Sequence, residues 1–306
     1  MDATIVEVNT RILDIPTIRP HKMSVATMHC QSIVLVRIKT SDGIEGIGEA
    51  TTIGGLNYGG ESPESIKTNI DSYFAPLIVG QSATKQAALR KLINKTIKDN
   101  RFAKCAIETA LYDAYAKRLG VPLNALFGGV VANEIKVAWT LASGDTQKDI
   151  AEAEQMLETR RHNIFKLKIG MRAPKDDIKH IAAIRKAVGD DVSIRVDINQ
   201  GWSETQTVQN LRALADVGVE LGEQPINEKN LAGMQRLTAL GIVPIMADES
   251  LKGPEDGFTL ASQHCANVFA IKIEQAGGLQ HARDLIGIAQ EADIALYGGT
   301  MLEGSI

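Results

Sequence analysis

Apolar and polar positions alternate along the first 60 residues. ATIVEVNTRIL and IVLVRIKT read as strands, and SDG at 41–43 is a hairpin signal before IEGIGEA. A Gly-rich loop, TTIGGLNYGGES, follows. Ser62-Pro63 then opens a helix, with serine as N-cap and proline at the first helical position. The helical period continues through 65–80 and 86–97. It is clearest over 101–119, where Ala106, Ala110, Leu111 and Ala114 share one side and Gly120 and Pro122 end the run. Residues 1–130 therefore read as an α+β unit, strands first and helices after.

Beyond Gly128-Gly129 strands and helices alternate. The strands are KVAWTLAS, IFKLKIG, VSIRVDI, VELGEQP, VPIMADE, VFAIKI and IALYGG. Helices are predicted over 146–161, 174–188, 203–217, 228–239, 254–263 and 278–292. Regular β-α units imply a parallel sheet. The expectation for 131–306 is a (β/α) barrel rather than an open sheet, because charges end several successive strands instead of gathering at one switch point. A closed barrel has eight strands and the pattern yields seven before Ile306. The barrel is thus expected to be incomplete, its C-terminal part and tail missing.

Composition narrows the function. Of 306 residues, 44% are hydrophobic and 23% charged, the balance of a globular enzyme. A net charge of −4, with no basic run interleaved with aromatics, argues against nucleic acid as partner. No window approaches 18 uninterrupted apolar residues, so no membrane span is expected. MDATIVEVNTRILDIP does not read as a signal peptide. Cys30, Cys105 and Cys265 are far apart and odd in number, which suits reduced thiols in the cytoplasm.

Lys168, Asp197, Glu223, Asp248 and Lys272 each end a strand, at intervals of about 25–30 residues, the length of one strand, one helix and their loops. Three carboxylates on neighbouring strands are hard oxygen ligands suited to Mg²⁺ or Mn²⁺, and no His or Cys stands with them to favour zinc. Taken singly, each carboxylate serves equally well as the cap of its following helix. Lys166 and Lys168, two apart, share a face, while Phe165, Leu167 and Ile169 take the other. The lysines should point into the barrel, and their mutual repulsion should depress one pKa. Lys272, four strands further round, should stand across from Lys168. Asn199, two residues after Asp197, is placed either to hydrogen-bond the ligands or lysines or simply in a loop.

The K-x-K strand, D-x-N, E-Q-P, A-D-E-S and the later A-x-K together resemble the enolase superfamily, muconate-lactonizing subgroup. IPTIRPHKM, EGIGEATTIGGLNYGGESPE, VAWTLASGD and YGGTMLEGSI extend the likeness over essentially the whole chain. A lysine base beside a divalent metal is a known property of that superfamily, not something the spacing shows. The resemblance implies an enolase-type (β/α)7β TIM-like barrel with an N-terminal α+β capping domain. It implies metal ligands Asp197, Glu223 and Asp248, with Mn²⁺ or Mg²⁺ as cofactor. It implies that Lys168 handles the proton α to a carboxylate, supported by Lys166 and faced by Lys272, and that Glu303 is the acidic residue after the seventh strand. Ile53 and Tyr58 would lie in one substrate loop, His21 and Lys22 in the other. The implied reaction is reversible conversion of cis,cis-muconate, a small dicarboxylate, to muconolactone through an enediolate. Sister activities of the subgroup are chloromuconate cycloisomerisation, N-acyl amino acid racemisation, dipeptide epimerisation and o-succinylbenzoate synthesis. A homo-oligomer, commonly of eight, is implied as well. Glu274 and Gln275 depart from the subgroup, which has a small and then a basic residue after the lysine.

Overall fold

The computed structural model describes residues 3–22 and 27–304, the side chain of Lys22 excepted. The first part holds a three-stranded antiparallel sheet, ordered β1 (Ile5–Lys22), β2 (Thr27–Thr40), β3 (Glu45–Thr51). Gly43, at φ 83°, makes the β2–β3 turn that SDG announced. β1 runs past the expected end at Leu13 and through Pro16 and Pro20. It can do so because it is an edge strand and its register with β2 shifts between Pro16 and His21.

Helices α1 (Pro63–Asn69), α2 (Ala75–Ile78), α3 (Gln86–Thr96) and α4 (Arg101–Leu119) cover this sheet, with a π turn at Ile70–Phe74 between the first two. Ser62 and Ser65 close a reciprocal capping box at the start of α1. The α4 helix buries Ala106, Ala110 and Ala114, and it lies almost on the β3 backbone. A Cβ on Gly46 would stand 1.9 Å from the Ala110 carbonyl oxygen, and one on Gly48 2.2 Å from that of Ala106. Val34, Val36, Ile66, Phe74, Phe102 and Ile107 belong to the core between the two layers.

The second part is a seven-stranded sheet in simple sequential order, every pair parallel. Its strands are β4 (Trp139–Leu141), β5 (Ile164–Lys168), β6 (Ser193–Asp197), β7 (Val219–Glu223), β8 (Ile245–Ala247), β9 (Val268–Ile271) and β10 (Ala295–Gly298). Between them run α5 (Thr146–Glu158), α6 (Pro174–Val188), α7 (Glu204–Asp216), α8 (Leu231–Ala239), α9 (Pro254–Ser262), the single turn α10 (Ile273–Ala276) and α11 (Leu279–Glu291). The seven expected strands are all present, although β4 is reduced to three residues. The architecture is the enolase-type arrangement, a partial parallel barrel beside an antiparallel cap.

Alternation along the strands divides the residues as period two requires. Phe165, Leu167, Val196, Ile245 and Phe269 face the helices and join one large core. Leu221, Met246 and Ala270 form a small apolar floor on the inner face. Each lies two residues before a charged strand-end residue, so the charges form the next layer up.

The two parts are clasped together. Thr51 donates from its backbone N (2.9 Å) and its hydroxyl (3.2 Å) to Glu274 Oε2. Gln31 Nε2 reaches the Met301 carbonyl at 2.9 Å, and Arg19 forms a 2.7 Å ion pair with Glu152.

Candidate active site

Strand register builds the site. Lys168 is the lateral partner of Asp197, and Asp197 of Glu223; Glu223 pairs with Met246, which places Asp248 one pleat further on the same face. Asp197, Glu223 and Asp248 are each 1% exposed, and one carboxylate oxygen of each lies within 4.8 Å of the others. The structure thus brings together the three carboxylates that the spacing singled out.

Lysines flank the triad on both sides. Lys168 Nζ donates to Asp197 Oδ2 at 2.5 Å and to Asn199 Oδ1 at 2.9 Å. Lys166 Nζ donates to Glu223 Oε2 at 2.9 Å and stands 3.8 Å from Asp197. Lys272 Nζ lies 2.7 Å from both oxygens of Asp248, with hydrogen-bond geometry met only at Oδ2. It also donates to Tyr58 Oη at 2.7 Å, and Tyr58 in turn donates to Asp248 Oδ2 at 2.8 Å.

Crowding of like charge in a dry place sets the electrostatics. Burial, then the charge of Asp197, pushes the Glu223 carboxyl up to about 7 despite Lys166. Burial would also raise Asp248, but Lys272 outweighs it and holds that carboxyl low. Burial alone would depress Lys166, yet Glu223 and Asp197 raise it; the expected repulsion between lysines is overridden there by the carboxylates. Lys272 is raised for the same reason, chiefly by Asp248 against burial. Burial lifts the Tyr58 phenol well above its usual range, so Tyr58 keeps its proton and can donate it.

These residues fit a divalent cation. The donor set is three buried carboxylates, all hard oxygen, with Asp248 Oδ1 free of any hydrogen bond. One carboxyl, that of Glu223, is driven toward protonation by burial and by the charge of Asp197, and a cation at the centre would offset both.

The other expected site residues separate. Tyr58 enters from the cap loop and is part of the site. His21, near Lys168 and Lys166, has its pKa lowered to about 4 by burial and then by Lys168, and so is a neutral imidazole. Ile53 packs in the cap core at 6% exposure. The Lys22 side chain lies outside the described residues. Glu303 is not in the carboxylate triad; it accepts a hydrogen bond from Thr300, and after burial its charge helps to push the Glu274 carboxyl well above its usual range.

The sequence pattern gives three supporting residues no role in the site, although their motifs are in view and Gln275 stands out as a departure. Gln224, after Glu223 and at φ 31°, accepts through Oε1 from Asp248 N (3.1 Å), Ser250 N (3.2 Å) and Ser250 Oγ (2.8 Å). Gln275 donates to the carbonyls of Asp248 at 2.7 Å and Leu251 at 2.8 Å. The departure after Lys272 therefore braces the Asp248 loop, while Glu274 turns to the cap. Glu249, beside Asp248, is 4% exposed and accepts from Asn199 Nδ2 at 3.1 Å.

Known proteins resemble this chain in sequence and fold. The family described as "Mandelate racemase / muconate lactonizing enzyme, N-terminal domain" matches residues 5–128, and "Enolase C-terminal domain-like" matches 148–306. Muconate cycloisomerase 1-2 of Acinetobacter lwoffii is 56% identical over 98% of this chain and 78% of its own. The crystal structure of muconate lactonizing enzyme from Pseudomonas fluorescens complexed with muconolactone superposes with a TM-score of 0.97 at 53% identity, covering 99% of this chain and 82% of that one. That of 2-chloromuconate cycloisomerase from Rhodococcus opacus gives 0.96 at 40% identity, with the same coverage.

Proposed function

This chain belongs to the mandelate racemase / muconate lactonizing enzyme family, and from that premise we propose that it interconverts cis,cis-muconate and muconolactone in the breakdown of aromatic compounds. The observation that carries the reading is the buried triad of Asp197, Glu223 and Asp248 with Lys168 at one end and Lys272 at the other. Muconate cycloisomerase 1-2 of Acinetobacter lwoffii is 56% identical to this chain, against 44% for a chloromuconate cycloisomerase of a Pseudomonas sp..

In the lactonizing direction one carboxylate of muconate adds to the carbon β to the other. Negative charge then grows on that second carboxylate, and a stabiliser that acts most on the developing charge accelerates the step. Asp197, Glu223 and Asp248 would hold a divalent cation, Mn²⁺ or Mg²⁺, which when bound would supply Lewis-acid stabilisation of that charge. Lys168, as ammonium, delivers its Nζ proton to the α carbon, and as amine removes it in the reverse direction. Lys166 keeps its positive charge beside Glu223 and Asp197 throughout, because those carboxylates raise its pKa. Lys272 places a second cation at the far side of the triad, and Asn199 fixes the Lys168 ammonium. Tyr58, from the loop at 52–62, covers that side and limits water. The resemblance assigns His21, Lys22 and Ile53, like Tyr58, to the substrate loops of the cap, and Glu303 to the barrel rim.

In this reading residues 1–130 are the capping, specificity-bearing unit and 131–306 the catalytic one. A cytoplasmic homo-oligomer of eight goes with it; exposed Ile18, Val131 and Ile135 offer apolar surface for self-association, and the cysteines are free thiols. The test is loss of the diene ultraviolet absorbance of cis,cis-muconate with Mn²⁺ present, against a panel of chlorinated muconates and N-acyl amino acids. Turnover of a panel member in place of muconate would overturn the assignment.

A further inference from the structure

We propose that Glu249 is a positioning residue: it fixes the side-chain amide of Asn199 and, through it, the ammonium of Lys168. The inference rests on the reading of Lys168 as the proton-handling group. It begins with an asymmetry of donors and acceptors. A lysine ammonium only donates, so whatever holds it must offer oxygen. Asn199 offers Oδ1 at 2.9 Å. An asparagine amide is nearly symmetric in shape, and flipped by half a turn it would present NH₂ to the lysine instead. What distinguishes the two orientations is the partner of the other end. Asn199 Nδ2 donates to Glu249 Oε1 at 3.1 Å.

Asn199 and Glu249 are each 4% exposed, so water is a poor substitute for either. A flip would turn NH₂ toward an ammonium, losing the Lys168 hydrogen bond in a place where unsatisfied polar groups are costly, and Oδ1 would find a donor in the Glu249 carboxyl only when that group is protonated. Glu249 offers an accepting oxygen whether or not it is ionised. The backbone adds weight: Asn199 sits at φ 43°, a left-handed conformation unusual outside glycine, and its N–H is tied to Asp197 Oδ1 at 3.0 Å. Asparagine tolerates this left-handed turn, which carries its side chain between Glu249 and Lys168. Asp197, the other acceptor of Lys168, is also one of the three carboxylates for the cation. Asn199 Oδ1 is the neutral acceptor outside that triad.

The test compares Glu249→Leu, which removes the acceptor, with Glu249→Gln, which removes the charge and keeps an accepting oxygen. Glu249→Leu is expected to lower kcat by roughly tenfold to a hundredfold. KM for muconate and Mn²⁺ affinity should each stay within about threefold, a change too small to account for that loss. Glu249→Gln should restore most of kcat. In an Asn199→Ala background, Glu249→Leu should add less than about threefold. Fully additive losses, failure of the Gln variant to rescue, or a collapse of Mn²⁺ affinity that accounts for the loss would each overturn the proposal.

A readout independent of turnover separates this inference from the functional assignment. In metal-free protein, the pH midpoint for labelling of Lys168 by trinitrobenzenesulfonate, located by mass spectrometry, should shift in Glu249→Leu and in Asn199→Ala. In Glu249→Gln it should stay close to that of the parent. An unshifted midpoint in Glu249→Leu sinks the proposal even where muconate is turned over. If that variant fails to fold, Glu249→Met carries the same comparison.

Discussion

Tyr58 and Lys272 stand 214 positions apart in sequence, yet the lysine ammonium donates to the tyrosine hydroxyl at 2.7 Å and lies over its ring at 4.6 Å from the centroid. Both also hold Asp248. Tyr58→Phe keeps the ring and removes the hydroxyl. A hydrogen bond to a charged group contributes about 1.5–3 kcal/mol, so kcat/KM should fall by roughly tenfold to a hundredfold. Steady-state assay of diene absorbance checks this, with far-ultraviolet circular dichroism to show that the fold is kept.

Lys168→Ala removes the proposed proton carrier but none of the triad oxygens. Turnover should drop by roughly 10²- to 10⁴-fold, the usual contribution of a positioned acid or base. Mn²⁺ should still bind, followed by paramagnetic resonance of the free ion. Activity retained within a few-fold would refute the role given to this lysine.

The triad of Asp197, Glu223 and Asp248 is a buried set of hard oxygen donors, and burial with the charge of Asp197 pushes the Glu223 carboxyl up to about 7. Adding Mn²⁺ at about 100 times its Kd should stabilise the protein by about 2.7 kcal/mol, seen as a rise in Tm that EDTA reverses. Asp248→Asn should lose most of that rise. An unchanged Tm on adding metal to the parent would argue against a cation at the triad.

Gly48 lies under α4 with no room for a methyl group. Gly48→Ala should push the helix from β3 and cost about 1–3 kcal/mol, measured as a lower urea midpoint at unchanged slope. Because β3 leads into the loop that carries Tyr58, the same variant should raise KM.

Glu108 on α4 accepts from the first turn of α11 through Gln280 N at 3.3 Å, and burial pushes its carboxyl up to about 7. The folded state therefore holds this proton more tightly than the unfolded chain. Glu108 destabilises progressively as pH rises from about 4.5 to about 7, and the full penalty applies above that. Across this window the stability of Glu108→Gln relative to the parent should improve by on the order of 2 kcal/mol, by urea denaturation at pH 4.5 and pH 8. A difference that does not vary with pH would contradict the assignment.

The barrel was legible because its signals are local. Period two put Lys166 and Lys168 on one face and Phe165 and Leu167 on the other, and strand-plus-helix spacing set Asp197, Glu223 and Asp248 in register. What stayed hidden depended on contacts that no local pattern encodes. The alternation carries the first strand only as far as Leu13, because nothing in the sequence says that β1 is an edge with a shifted register that can run on through Pro16 and Pro20. Glu249 has no role in the sequence pattern, which takes Asp248 alone from A-D-E-S. The strand ends at Ala247, and the loop beyond turns Asp248 and Glu249 toward the same centre. Lys166 looked like a candidate for a depressed pKa while only its lysine neighbour was in view; two carboxylates from other strands reverse the sign.

The segment at 129–138 joins the two parts as an exposed stretch without helix or strand. It is the natural crossover point for recombination between relatives. A chimera joined there exchanges more than a lid. The incoming half brings its own Tyr58 for Lys272 and its own Thr51 for Glu274, so substrate preference and competence of the acid–base machinery are inherited together. A donor that lacks the hydroxyl or the threonine would yield a hybrid that folds as two sound halves and is slow at their seam.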